Sequence, residues 1–311
     1  MQLATLTILA IVLVSQGQAM RIATRQDFMN GLIEQLNSQN RTSFSAALSQ
    51  AASSGTPQGE QLVTNLMATD RTLLAPLNEM FDPLIQGQDN ATVANLVSYH
   101  LMNESVNMYN VVSSNISRRV STFLTDPKLV NLGPGNGQVQ CGGVPMEALS
   151  CFAGLTVTSQ YQNNLVLHMI DAPIPPPGDL QQTLGKNLTG APINQFAKFN
   201  DSLRRSGSLG SASNSNQARS TILAPFDPAW QNNKELKRII HNHVINSNVL
   251  YSYHIDKSPN ATSVSGGKLR FAFDKGEMYI TSGNIRARVI RSDIPVKNGV
   301  IHVIDKVLMI N

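Results

Sequence analysis

The chain has 311 residues, of which 41% are apolar, 5% aromatic and 14% charged, with a formal net charge of +4. That length suits two ordinary domains rather than one, and the composition excludes a fibrous or wholly disordered protein. Charge is divided unequally: residues 20–177 carry a net −4 and residues 178–311 a net +8, so the basic character belongs to the C-terminal half.

Leu3 to Val14 is an uncharged apolar run, followed by the polar Ser15-Gln16-Gly17-Gln18 and then Ala19. Small residues at Gly17 and Ala19 mark residues 1–19 as a secretory signal peptide cut after Ala19. The alternative, an uncleaved anchor, has a run short for a bilayer. No later stretch is apolar enough to span, and no spacer with a hydrophobic tail closes the chain for a glycolipid anchor. The expected mature protein is therefore soluble, with no transmembrane segment.

Phe28–Leu36 and Phe44–Ala52 carry apolar residues at helical spacing, and a loop is expected before a short strand at Thr72–Ala75. Pro76 stops that strand, and Asn78 can cap the helical turn holding Met80-Phe81. A further helix leads to Val97-Ser98-Tyr99-His100-Leu101. Cys141 and Cys151, the only cysteines, sit close together in CGGVPMEALSC; in an oxidising compartment they read as a short disulfide loop. NLVLHMID at 164–171 ends this part, and the proline-rich 173–178 segment marks the domain boundary. Two domains are expected, 20–175 and 176–311.

The second half repeats the plan. Ile193, Phe196, Phe199 and Leu203 form a helical stripe, a Gly/Ser/Asn-rich loop covers 206–217, and a strand follows at Thr221–Ala224. Pro225, with Asp227 as a cap, precedes the turn holding Ala229-Trp230. His241 and His243 would share one face if Ile240–Ile245 were a strand. KLRFAF, MYITSG, IRARVI and GVIHVID then read as successive strands. TLLAPLNEMF at 72–81 matches TILAPFDPAW at 221–230, and NLVLHMID matches NGVIHVID at 298–305. A module written twice is a duplicated domain. From Thr72 to His168 is 96 residues and from Thr221 to His302 is 81, so the first copy holds about 15 extra, and both cysteines fall in that interval.

The order TLLAPLNEMF, YHLM, NLVLHMID, and again TILAPFDPAW, NHVINSNVLYS, NGVIHVIDKVL, resembles the fasciclin domain. Together the copies cover nearly the whole mature chain. The resemblance implies an α+β fold: two tandem domains, each a wedge of mostly antiparallel strands with packed helices. With the signal segment, it is similar to secreted or wall-associated fungal fasciclin-like proteins. The implied role is adhesion or matrix association, without catalysis.

The resemblance singles out Tyr99 and His100, beside Val97 and Leu101, because the Tyr-His pair of animal fasciclin domains is linked to integrin contact; the second copy has Asn242-His243 instead. The residues also support a structural reading, a histidine hydrogen-bonded to backbone that fixes a helix-to-strand turn. His168 with Asp171, and His302 with Asp305, have the residue types of an acid–base dyad. On a strand, however, residues three apart point to opposite faces, so a structural motif is expected. A metal at His241 and His243 lacks a third ligand nearby. No nucleophile elbow, phosphate loop or dinucleotide fingerprint appears, and no cofactor is expected.

Arg286 and Arg288 share a strand face in a region that also holds Lys268, Arg270, Arg291 and Lys297. Such a stripe could bind an anionic polysaccharide or phospholipid headgroups; it also reads as the polar face of an antiparallel sheet. Nucleic acid is not expected, because no aromatics interleave the basic residues. Sequons stand at Asn40, Asn90, Asn103, Asn115, Asn187, Asn200 and Asn260. The expectation is a secreted, N-glycosylated, non-enzymatic interaction protein that meets cell-surface or wall protein or glycan, located outside the cell, in the wall or in the vacuole. The alternative is a small-molecule carrier or enzyme with a cleft between its two domains.

Overall fold

Apolar spacing builds the opening helices. In the computed structural model, which describes residues 25–106, 118–132, 137–141, 155–185, 196–206, 219–226, 236–252, 255 and 259–309, helix α1 runs over 25–38. Helix α2 follows at Thr42–Ser53. They bury Phe28, Leu32 and Leu36, then Phe44, Ala47, Leu48 and Ala51, each set one stripe of a 3.6-residue period. The expected loop before the first strand instead contains α3, Pro57–Leu66. Its start was readable: Thr56 Oγ1 accepts the Gly59 N–H at 3.1 Å, and Pro57 takes the first helical position, where an N–H has no partner.

Strand β1 (Thr72–Pro76) leads to α4 (Asn78–Ile85) and α5 (Asn90–Tyr99). Asn78 departs from its expected role. It begins α4, but its side chain serves the start of α2, accepting Ser43 N–H at 3.0 Å and donating to Thr42 Oγ1 at 3.0 Å. Asp227, its expected counterpart, lies outside the described residues, as do the signal segment and Cys151.

The remaining strands of the first copy are β2 (Leu101–Met102), β3 (Arg118–Thr122), β4 (Gly137–Cys141), β5 (Leu155–Tyr161) and β6 (Leu165–Ile170). They form a sheet in the order β4-β3-β2-β1-β6-β5. β1 and β6 are parallel, with Leu74 opposite His168; β1–β2, β3–β4 and β5–β6 are antiparallel. The two strings that recur in sequence are thus adjacent strands, and both are buried along their length. This explains their continuous apolar runs, because parallel strands are covered on both faces.

The second copy has α6 (Leu180–Leu184), α7 (Ala197–Arg205), β7 (Ser220–Pro225), α8 (Leu236–Asn242) and β8 (Val244–Asn246). It continues with β9 (Asn260–Thr262), β10 (Lys268–Asp274), β11 (Glu277–Ser282), β12 (Ile285–Val296) and β13 (Gly299–Ile304). The sheet order is β8-β7-β13-β12-β11-β10-β9, with β7 and β13 parallel. A strand over 240–245 is corrected here: Ile240, His241 and Asn242 finish a helix, and only Val244 onward is extended. Gly299 is required by close approach, since a Cβ there would meet Ser220 O at 2.0 Å.

The long β12 joins two halves of this sheet. Ile285–Arg288 pair with β11, whereas Val289–Val296 pair with β13 through two register shifts. Such bulges bend a strand. Alternate residues then enter different cores: Ile222, Ala224, Ile301 and Val303 pack with Phe196, Phe199 and Leu203 under the helices. Leu223 and Ile304 pack with Leu269, Phe271 and Ile280 from the β10–β11 half. The chain divides into two compact units, 1–108 with 152–173, and 109–151 with 174–311. The architecture is α+β, one plan of mostly antiparallel sheet and packed helices used twice.

Candidate functional site

The same polar network occurs in both copies. Thr72 Oγ1 donates to Glu104 O at 2.8 Å and accepts Val106 N–H at 2.8 Å, and His168 Nε2 donates to Val106 O at 2.8 Å. In the second copy, Thr221 Oγ1 donates to Asn248 O at 2.9 Å and accepts Leu250 N–H at 2.8 Å. His302 Nε2 donates to Leu250 O at 2.7 Å. A threonine on the first strand and a histidine on the last together hold the end of one loop, where the backbone N–H and C=O of buried Val106 or Leu250 have lost water and need partners. His302 Nδ1 accepts Asp293 N–H at 3.2 Å, so this ring is a neutral imidazole held at both nitrogens. The two threonines were missed in the sequence, although each stands first in its repeated TLLAP or TILAP string.

A second histidine recurs at the end of a helix. His100 Nδ1 donates to Leu96 O at 2.8 Å, and His243 Nδ1 donates to Ile239 O at 2.8 Å. Their own carbonyls accept Leu74 N–H at 2.9 Å and Leu223 N–H at 2.8 Å. Each therefore ties a helix end to the first strand of its copy. His243 Nε2 also accepts Leu308 N–H at 2.9 Å. Burial pushes both imidazoles down to about 4, against a smaller opposing effect of their carbonyl bonds. Burial likewise lowers His168.

This settles where the Tyr-His pair stands. Tyr99 is 2% exposed and His100 0%, with Val97 and Leu101 also buried, so in this conformation the pair offers no side-chain surface to a partner. His100 packs edge-on between Phe44 and Phe81 at 5.7 Å from each ring centre. The second copy keeps the histidine and replaces the tyrosine. Asn242 there is a buried hub: Nδ2 donates to Ser282 Oγ and Leu308 O, each at 3.0 Å, and Oδ1 accepts from Ser263 Oγ at 2.8 Å and Ser265 Oγ at 3.1 Å. His241, on α8 rather than a strand, is lowered by burial and then by the Lys237 charge. Among the described residues, no group of three His, Cys, Asp or Glu side chains could hold a metal.

The aspartates of the terminal strings lie beyond their histidines. Asp305 Oδ1 accepts Arg288 N–H at 2.7 Å, which fastens the end of β13 to β12. Asp171 is half-buried just past β6. Among the described acids of the second copy the buried one is instead Asp293, whose Oδ1 accepts Ser252 N–H at 2.9 Å and whose Oδ2 accepts the Ser252 hydroxyl.

Arg286 and Arg288 do share an exposed face, but each meets an acid. Arg286 Nη2 lies 2.7 Å from Asp274 Oδ2, with its guanidinium 3.8 Å from the centre of the Tyr279 ring. Arg288 Nη1 lies 2.8 Å from Glu277 Oε1 and Arg288 Nε 4.0 Å from Asp305 Oδ2. Tyr279 Oη donates to Glu277 Oε2 at 2.6 Å. The Arg286–Arg288 part of the expected basic stripe is thus a charge-compensated ladder. Sequence did not show this, because Asp274 and Glu277 flank the β10–β11 turn and reach the arginines only across strands.

Cys141 ends β4 opposite Arg118; the proposed disulfide partner lies outside the described residues. Among the sequons, Asn40, Asn90, Asn103 and Asn260 are exposed, and Asn115 and Asn187 lie outside the described residues. Asn90 Oδ1 accepts from Gln50 Nε2 at 2.7 Å. Asn200, on α7, is half-buried, with its Oδ1 buried and without a hydrogen-bond partner among the described residues. No helix among the described residues is long and apolar enough to cross a membrane.

Comparison with known proteins agrees with the duplication. The family model for the fasciclin domain matches residues 30–176 and again 194–310. A fasciclin-like arabinogalactan protein elcF of Phaeosphaeria nodorum is 24% identical over 257 residues, covering 76% of this chain and 77% of that protein. A fasciclin-like arabinogalactan protein of Arthroderma benhamiae is 30% identical over 156 residues, 47% of this chain and 33% of that one. A solved FAS1 domain pair from the insect cell adhesion molecule fasciclin I aligns at 17% identity with a TM-score of 0.40, covering 84% of this chain and 95% of that chain.

Proposed function

The chain belongs to the fasciclin domain family, and from that premise we propose that it is a secreted, N-glycosylated, non-enzymatic protein that associates with a cell wall or extracellular matrix. One observation carries the reading. The threonines and histidines common to both copies, Thr72 and Thr221, His100 and His243, His168 and His302, are buried and hydrogen-bonded to backbone. What the duplication kept is therefore fold, and what contacts a partner is the variable outer surface.

The signal segment and the exposed sequons Asn40, Asn90, Asn103 and Asn260 support passage through a secretory route. The relatives' description as fasciclin-like arabinogalactan proteins supports a wall or matrix setting. In this reading Cys141 and Cys151 form a disulfide, and partners are wall or cell-surface glycans or proteins. The test is retention: purified glycoprotein incubated with isolated cell walls should sediment with them and be released by salt. Peptide mapping of the same material should show glycan on the exposed sequons Asn40, Asn90 and Asn103 and no free thiol at Cys141 or Cys151.

A further inference from the structure

Part of the net +8 of the second half comes from a patch separate from the arginine ladder. β9 and β10 pair with Thr262 opposite Lys268 and Asn260 opposite Arg270. Side chains directly opposite one another share a face, so these four form a two-by-two patch on the outer face of the sheet. All four are exposed. Among the described residues, Lys268 and Arg270 have no ion-pair partner. The patch borders an open depression of about 470 Å³, which Ala261 and Leu269 also line.

Charge is segregated along this face. The nearest acid of the ladder on the same strand, Asp274, is four residues beyond Arg270, or about 13 Å at strand rise. That exceeds the screening length of about 8 Å at physiological salt. Asp274 is in any case held by Arg286. Among the described residues, the Lys268–Arg270 end is therefore the uncompensated cationic end of the sheet.

We propose that the outer face of β9 and β10 is a binding site for an acidic polysaccharide, with Lys268 and Arg270 taking its carboxylate or sulfate groups and Asn260 and Thr262 its hydroxyls. Guanidinium and ammonium donors form strong charge-assisted bonds to such anions, and the amide and hydroxyl beside them match the neutral groups of a sugar. An acidic peptide fits less well. β9 has three residues, too few for an added strand to gain much main-chain bonding. The proposal rests on the wall- or matrix-association reading and moves its anionic contact from Arg286 and Arg288 to Lys268 and Arg270.

Asn260 is also a sequon, so the test uses full-length chain made without N-glycans in a bacterial periplasm, with immobilised polygalacturonate as probe. Wild type should bind at low salt and be released as salt rises. Lys268→Glu with Arg270→Glu should weaken binding at least about tenfold, Lys268→Arg with Arg270→Lys should preserve it, and Arg286→Gln with Arg288→Gln should stay within about twofold. Circular dichroism and unfolding midpoints equal to wild type show that each variant is folded. No binding by wild type, undiminished binding by the double glutamate variant, or equally tight Lys268- and Arg270-dependent binding of polyglutamate would overturn the site. Separately, glycosylated wild type and the double glutamate variant are compared on isolated walls. Retention of both leaves the association reading standing and removes the site; retention of neither removes the association reading itself.

Discussion

Acidification from pH 7 to 4.5 should destabilise this protein chiefly through His100 and His243, ahead of most of its carboxylates. Both rings are fully buried and neutral, and burial holds them at about 4, below the ordinary value of about 6.5. Because the folded value is depressed, the unfolded chain takes up protons first. The stability they provide is complete above pH 6.5 and falls as pH drops toward 4. At pH 4.5 the difference amounts to about 2 kcal/mol for each histidine at 1.36 kcal/mol per pH unit. Two together lose about 4–5 kcal/mol, a large share of a typical 5–15 kcal/mol. His168 acts in the same direction. Glu60 and Glu277 lie below the ordinary carboxylate range, Glu60 through its bond to Arg25 and Glu277 through bonds to Tyr279 and Arg288. Their losses begin as pH nears the ordinary carboxylate value and run on below it, so most of this window belongs to the imidazoles. The assay is urea unfolding at pH 7.0, 6.0, 5.0 and 4.5, with His243→Gln alongside to remove one titrating ring. Wild type should lose stability steadily, and the variant should lose about half as much from the histidine pair. Stability that is flat or rising between pH 6.5 and 4.5 would refute the assignment of these rings as neutral buried bases.

Other outcomes follow from the same contacts. Thr72→Val and Thr221→Val each strand a buried loop N–H, and each should cost about 1–3 kcal/mol, by similar amounts in the two copies as read by denaturant midpoints. Asn242→Leu leaves Ser263, Ser265 and Ser282 without their amide partner and should cost more than either threonine change, about 3 kcal/mol or above; a cost below 1 kcal/mol would show that the hub relaxes. Gly299→Ala places a Cβ within 2.0 Å of Ser220 O, so it should lower the unfolding midpoint sharply or prevent folding. Arg286→Gln with Arg288→Gln should leave the midpoint unchanged, because exposed ion pairs contribute little.

Much of the plan was legible because it is written twice. The parallel β1–β6 and β7–β13 pairs are the strings TLLAP with NLVLHMID and TILAP with GVIHVID, and unbroken apolar runs are what doubly covered strands require. Other features depend on contacts remote in sequence. Asn78 reads locally as a cap for its own helix, yet it faces α2, 35 residues back. His241-Asn242-His243 reads as extended because it abuts Val244 and Ile245, but Asn242 must finish a helix for its amide to reach Ser282 and Leu308. Arg286 and Arg288 alternate as a strand demands, which placed them on one face. The acids that neutralise them arrive from β11, from the end of β10 and from beyond β13, so no local window contains the ladder. Tyr99 and His100 show the converse limit: a motif names residues without giving their burial, and here both are in the core.

The proposed role of this fasciclin-family chain is contact through its outer surface, in a wall or matrix. The most direct measurement is retention of the purified, folded glycoprotein on isolated cell walls across a salt series, with the far-ultraviolet spectrum checked in each fraction. The expected result is a bound fraction at low salt that is released as salt rises. Folded protein that stays wholly in the supernatant at every salt concentration would contradict it.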